Sequence, residues 1–336
     1  KFRVTEKGSH ITLPPMPHAF WSMLIIGPAF FLLSWPYLWH DTIARLGKYI
    51  AFHMNHYPIL LFYQGTLHLE PYAPWHMPFM MALGTIPLPL LCIGCFGILR
   101  ACRSLLRILL HGPEETTEQD HLLVIILIQM IIAICIVAFS NVPKYGGEKL
   151  FMPFFPLFCL LAALGFSNCL ERTKSLLPKG KEIMSRPMSG LVLTAVILGP
   201  GFIGSYHFHG GYALSYYSEF LGGLRGATAQ GYERTYYDIA DKTLARWLDK
   251  NIPSQDKVHF EPNHKEYKRT YKWLKKDGYI SSKLQLSSKW NNSKYIVLSH
   301  ERRWQTYSQL LDRVASLEKV YEKVVDGVPL YTVYKK

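Results

Sequence analysis

A handful of histidines, lysines and neighbouring polar residues have the types and spacing to handle a phosphate. His53 and His56 are three apart and share one face if their segment is helical. With His68 and His76 close by in sequence, a divalent metal site is one reading. Contact with lipid headgroups or helix capping is the other, since no strict ligand spacing is met. Trp75-His76 pairs a ring that favours a membrane–water boundary with an imidazole that can donate to a phosphate oxygen. Lys144-Tyr145-Gly146-Gly147-Glu148-Lys149 sets two cations around flexible glycines. It reads equally as a phosphate clamp or as a solvated turn with interfacial lysines. Cys92-x-x-Cys95 lies in an apolar run, where packing is the plainer role than redox or metal chemistry. His207-x-His209 is a weak metal signal. No Ser/His/Asp set, Gly-rich phosphate loop or nucleotide fingerprint can be assembled from spacing.

The elements that must position these residues fall into two unlike parts. Of 336 residues, 49% are hydrophobic and 18% charged, with six cysteines, all before residue 170. This excludes a disordered chain or a disulfide scaffold. Mean hydropathy is only +0.06, but the average conceals long apolar runs confined to residues 1–206. Residues 122–139 contain one polar member, Gln129, which a bilayer span requires and a water-soluble helix does not. Spans are expected at about 19–38, 77–98, 122–139, 150–168 and 189–206, with kinks at prolines. Lys and Arg in the connections total 11 on one side (the N-terminal stretch, 99–120 and 170–186) and four on the other. The rule that cytoplasmic loops are the positive ones then places residues 40–74, residues 141–149 and the C-terminal part outside the cytoplasm. The expected class is an α-helical membrane protein of the inner or plasma membrane, followed by a small extracytoplasmic α/β domain at 207–336.

Within the outward loop 40–74, Asp41–His53 alternates apolar and charged residues at helical spacing, predicting an amphipathic helix on the membrane surface. Ala101–Leu110 has similar spacing and reads either as the end of the second span or as a helix along the inner leaflet. In the C-terminal part, helices are expected over 236–251, 264–277 and 306–317, with strands at 257–260 and 294–300. A hairpin should form around Asp326-Gly327. The 22 cations of this part are spread through helices and turns, a solvated surface rather than a nucleic-acid stripe.

Several stretches together resemble bacterial family 39 glycosyltransferases, which include protein O-mannosyltransferase-like enzymes. They are Phe52-His53…His56-Tyr57-Pro58…Tyr63-Gln64-Gly65; Ala73-Pro74-Trp75-His76-Met77-Pro78 before Thr85–Pro89; and Lys149–Pro153. Further on come Tyr212–Gly223, Gly226-Ala227, Gly231-Tyr232-Glu233, Tyr236-Tyr237, Ala245–Leu248, Asn251–Pro253 and Asp326–Tyr334. The likeness is an ordered set covering most of the chain, and no single motif decides it. It implies a GT-C architecture, a polyprenyl-phosphate sugar as donor and an acceptor hydroxyl attacking with inversion at the outer membrane face. In that family the catalytic carboxylate lies in the first outward loop, ahead of several further spans. Loop 40–74 matches a later family loop, and neither Asp41 nor Glu70 matches the catalytic position. The resemblance therefore implies a C-terminal part, with the base on an N-terminal half or a partner membrane protein. Donor-phosphate binding would fall to His76, Tyr63, Gln64 and Lys149, then Lys144 and His53.

The competing reading is a non-catalytic membrane subunit or degenerate relative that binds lipid or a partner through the outer domain. A transporter fits less well, because no charged residue falls inside the expected spans and no repeat is visible.

Overall fold

The computed structural model describes residues 18–54, 59–69, 73–175, 182–208, 212–236, 242–281 and 283–336. The chain divides into two compact units, Lys1–Tyr57 and Pro58–Lys336.

In the first unit, α1 (His18–Ser34) leads through a turn of 3-10 helix at Pro36–Leu38 into α2 (Thr42–Met54). The Trp39 indole donates to the Leu32 carbonyl at 3.0 Å, occupying an acceptor that the end of α1 leaves open. Arg45 donates to the Tyr37 carbonyl at 2.7 Å and lies over the Tyr37 ring. Trp35 packs edge-on against Phe31 and Tyr49 and so ties α1 to α2. The amphipathic helix expected from Asp41–His53 is present, with Asp41 just ahead of it at φ +51°. No residue of α2 is buried.

The second unit opens with a hairpin of β1 (Leu60–Tyr63) and β2 (Thr66–Leu69). Gln64 and Gly65 both take positive φ, 48° and 79°, the type I′ turn that matches strand twist. Helices α3 (Met77–Thr85), α4 (Leu88–His111), α5 (Glu118–Ala138), α6 (Phe154–Ser175) and α7 (Glu182–His207) follow. Three described helices are long and apolar enough to cross a membrane: Leu88–His111, Glu118–Ala138 and Phe154–Arg172. By the length and composition of these helices, the chain is a membrane protein. Three of the five expected spans thus fall on helices of spanning length, whereas 19–38 and 189–206 fall on helices whose apolar described stretches are shorter, Phe20–Ser34 and Gly190–Gly204.

The span expected at 77–98 is also not continuous. Ile86 is extended, and Pro87 and Pro89 have no N–H to continue the helix, so α3 stops and α4 starts afresh. The backbone groups near the break find partners in a distant segment. Ser218 donates its amide to the Gly84 carbonyl at 2.7 Å and its hydroxyl to the Leu83 carbonyl at 3.2 Å. The Leu88 amide donates to Glu219 at 3.0 Å. Irregular backbone among apolar helices is tolerated where protein satisfies it in this way. Ala101–Leu110 continues α4 rather than forming a separate helix.

Small residues let α4 and α6 touch. A Cβ on Gly97 would lie 1.8 Å from the Leu161 carbonyl oxygen, and one on Gly165 would lie 2.1 Å from that of Ile93. Helices without a hydrophobic drive between them associate by such close backbone packing. Helix α5 begins with a reciprocal cap between Thr117 and Asp120, and the Ser104 hydroxyl of α4 donates to Asp120 at 2.5 Å.

Past α7 the chain forms α8 (Gly223–Ala229) and α9 (Lys242–Asn251), then the sheet of the small domain. The helix expected over 236–251 is present over the described residues Lys242–Asn251, and residues 237–241 lie outside the described residues. Strands β3 (Lys257–Glu261), β4 (Gln285–Leu286), β5 (Tyr295–Ser299), β6 (Glu318–Val325) and β7 (Val328–Lys335) assemble in the order β4-β3-β5-β7-β6. The first three are parallel, and β7 and β6 close the sheet antiparallel around Asp326-Gly327. Helix α10 (His264–Lys276) stacks Tyr267 on Phe260, while α11 (Tyr307–Val314) covers Ile296 and Leu298 with Leu310 and Val314. Strand β5 is buried on both faces, so it reads as a continuous apolar run.

Candidate functional site: a tyrosine cluster beneath the first hairpin

The tight turn Gln64-Gly65 is held down from below. The Gly65 amide donates to the Gly231 carbonyl at 3.0 Å. Gly231 takes φ +85°, and a Cβ there would lie 2.1 Å from the Gly65 nitrogen. Only glycine fits this approach. The contact sets Tyr63 against Tyr232, edge to face at 5.4 Å, and both rings are 1% exposed. Tyr217 stands on the other side of Tyr232 at 5.9 Å.

His76 arrives from the start of α3. Its Nε2 is 3.3 Å from Gln64 Oε1, and its ring is 5.7 Å from the rings of Tyr63 and Trp75. Three of the six residues expected at a donor phosphate, Tyr63, Gln64 and His76, therefore meet. The Tyr63 and Tyr232 hydroxyls are buried without a hydrogen-bond partner among the described residues. Burial first, and the neighbouring Tyr232 second, raise the Tyr63 pKa and disfavour its phenolate.

Deeper, Tyr217 donates to the Glu233 carbonyl at 2.8 Å and lies 3.3 Å from the Tyr236 hydroxyl, which reaches Met81 of α3. Glu148, in the loop between α5 and α6, is half-buried beside these tyrosines. Burial pushes its carboxyl above the usual range, with its own backbone and the Thr85 hydroxyl pulling the other way. Such a carboxyl can hold or release a proton nearer neutrality than a surface glutamate can.

The Glu233 carboxyl is 1% exposed. It accepts from the amides of Arg234, Arg302 and Arg303 at 2.8, 3.0 and 2.8 Å. Burial raises its pKa against the pull of these donors. Arg302 donates to the carbonyls of Thr228 and Tyr232 and lies 4.5 Å over the Phe62 ring of β1. The loop after β5 thus braces the hairpin. The sequence reading missed Arg302 and Arg303. The available signal was a Glu-Arg-Arg run directly after a buried strand, where exposed cations are usual.

The remaining expected residues have other settings. Lys144 is fully buried and donates to the carbonyls of Phe139 and Val142 at 2.8 and 3.2 Å, closing the end of α5. Lys149 begins the 3-10 turn Lys149–Phe151, with its ammonium over the Tyr145 ring. His53 belongs to the first unit and packs edge-on against Tyr49 and Phe52. His68 bonds to the Thr66 hydroxyl at 2.7 Å. His56, Glu70 and His209 lie outside the described residues. No cluster of three or more His, Cys, Asp or Glu able to hold a metal occurs among the described residues.

No protein-family model, no curated protein and no solved structure matches the chain.

Proposed function

We propose that this chain is part of a membrane glycosyltransferase that takes its sugar from a polyprenyl-phosphate donor. The observation that carries the reading is a convergence. Four separated stretches that bear the family 39 resemblance meet in one cluster: 63–65, 73–78, 212–223 and 231–233, with Tyr236 beside them. They surround a hairpin turn with phenol, amide and imidazole groups, the donors a phosphate oxygen needs. His76 and Gln64 bind the donor phosphate, and Tyr63 and Tyr232 form the floor that orients them.

In the reaction, an acceptor hydroxyl attacks the anomeric carbon and its proton passes to a carboxylate base. The bond from that carbon to the phosphate oxygen breaks, and the electron pair leaves on the lipid phosphate. Donors aimed at the phosphate lower this barrier by stabilising charge that grows as the bond breaks. We assign the base to a further segment or partner protein, since the cluster contributes phosphate donors rather than an open carboxylate. The five-span topology and an extracytoplasmic small domain belong to the same proposal.

The test is release of lipid phosphate from a radiolabelled polyprenyl-phosphate sugar by membranes holding the chain, alone and with an upstream-encoded partner. Turnover that needs the partner and is lost in His76→Ala supports the reading. Turnover unchanged in His76→Ala removes the phosphate role. Absence of both turnover and donor binding overturns the transferase reading in favour of a non-catalytic subunit.

A further inference from the structure

At the opposite end of the bundle, residues of α4 and α6 line a groove of about 400 Å³. Helix α4 carries no charge from Leu88 to Leu99, and Arg100 is its first. Helix α6 carries none from Phe154 to Leu170, and Glu171-Arg172 are its first. These first charges line one and the same groove. The first charges of these two helices therefore lie at one level along the bundle.

Its lining is split along its length. Phe96 and Leu99, 52% and 54% exposed, form the apolar end. Arg100, Arg103 and Arg172 form the other, together with Asn168 of α6. Glu171 offsets one of these charges and leaves a cationic surplus. The Nε of Arg100 is buried without a hydrogen-bond partner among the described residues. A buried guanidinium N–H left open costs free energy that an incoming oxygen anion would recover.

We infer that this groove is a binding site for an anionic phospholipid of the adjoining leaflet. The phosphodiester sits on Arg100 and Arg103, and an acyl chain runs down over Phe96 and Leu99. A free phosphate would use only half of the lining, since the apolar end continues onto the exposed flank of α4. Cationic pockets between membrane helices at the headgroup level take anionic lipids by this division of labour. Arginine suits the role better than lysine because its planar fork meets two phosphate oxygens at once. The site is separate from the tyrosine cluster and does not depend on the transferase reading.

The full-length chain, purified in a neutral detergent, would be titrated with phosphatidylglycerol or phosphatidylcholine and the bound lipids counted by native mass spectrometry. One phosphatidylglycerol should be retained at least tenfold more tightly than phosphatidylcholine. The preference should fall about tenfold in Arg100→Gln/Arg103→Gln and survive in Arg246→Gln/Arg269→Gln, which removes two cations of the small domain. Leu99→Ser should weaken retention while leaving the preference for the anionic headgroup. Equal retention of the two lipids by the unmodified chain overturns the inference, whether or not the variants fold. So does displacement of the lipid by millimolar inorganic phosphate, which would show a simple anion site.

Discussion

Gly65 and Gly231 meet backbone to backbone, amide to carbonyl, at 3.0 Å. The contact joins the turn of the first hairpin to the loop that carries Tyr232. Everything proposed for the phosphate pocket hangs on this approach. Gly231→Ala would force a Cβ to within 2.1 Å of the Gly65 nitrogen at φ +85°. Strain of this kind costs roughly 1–3 kcal/mol, and the clash adds to it. The full-length chain in detergent should melt several degrees lower and lose donor binding together. A melting temperature within a degree of the parent would show that the hairpin moves freely.

His76 and Gln64 should separate in a donor assay. His76→Ala is expected to lower kcat by about 10²-fold, the range for losing one positioned donor to developing charge. Gln64→Ala should cost about tenfold, as loss of the group that orients His76 through its 3.3 Å contact. Equal, small losses confined to KM would reassign both residues to uniform binding of the donor.

Stability should fall in acid because of His300. Its two nitrogens lie 2.8 Å from the Tyr307 hydroxyl and 2.7 Å from the Thr332 hydroxyl. Burial first, then Arg234 and Lys319, lower its pKa from 6.5 to about 3. The folded state thus binds fewer protons than the unfolded chain between those values. The stability concerned is present above about pH 6.5 and lost as the pH falls toward 3, on the order of a few kcal/mol. His300→Gln should flatten the acid limb of a fluorescence-monitored unfolding profile; an unchanged limb would refute the assignment.

Glu148 should act in the opposite direction. Its raised carboxyl pKa means that the folded state holds a proton the unfolded chain gives up. Its contribution is present below the ordinary carboxyl value of 4.5 and lost as the pH rises through the shifted one. Glu148→Gln should therefore melt higher than the parent at pH 8, with the difference narrowing toward pH 5. A lower melting temperature at pH 8 would mean that the charged form is the one the fold uses.

Gly97→Ala tests the seam between α4 and α6. The added methyl would meet the Leu161 carbonyl oxygen at 1.8 Å, and overpacking of this kind costs about 1–3 kcal/mol. Lower thermal stability and aggregation on size-exclusion chromatography are expected, whereas Gly27→Ala, with open space around it, should change little.

The elements legible in the sequence were those that a single local signal determines. The charge-free run of α5 and the Asp326-Gly327 turn are of this kind. The turn at Gln64-Gly65 was not, because glutamine is an unusual residue at positive φ and its conformation is imposed by Gly231. The inward course of Lys144 depends on where α5 leaves its last carbonyls, which no local pattern records. Prolines 87 and 89 announced a kink, yet the full break between α3 and α4 depends on partners at Ser218 and Glu219. Tyr63, Gln64 and His76 were singled out in the sequence, but their meeting depends on the hairpin turning back over α3. The bracing of that group by Arg302 and Glu233 comes from the far side of β5, and nothing near residue 63 encodes it.

The break at Ile86-Pro87 also imposes an order on biosynthesis. Leu83, Gly84 and Leu88 are translated long before Ser218 and Glu219, and the intervening chain includes α5, α6 and α7. Until the ribosome has delivered residue 219, these peptide groups must bond to water, to the insertion machinery or to one another in a longer helix. The α3–α4 corner can therefore be completed only after α7 has been made, so a corner synthesised early is among the last to become native.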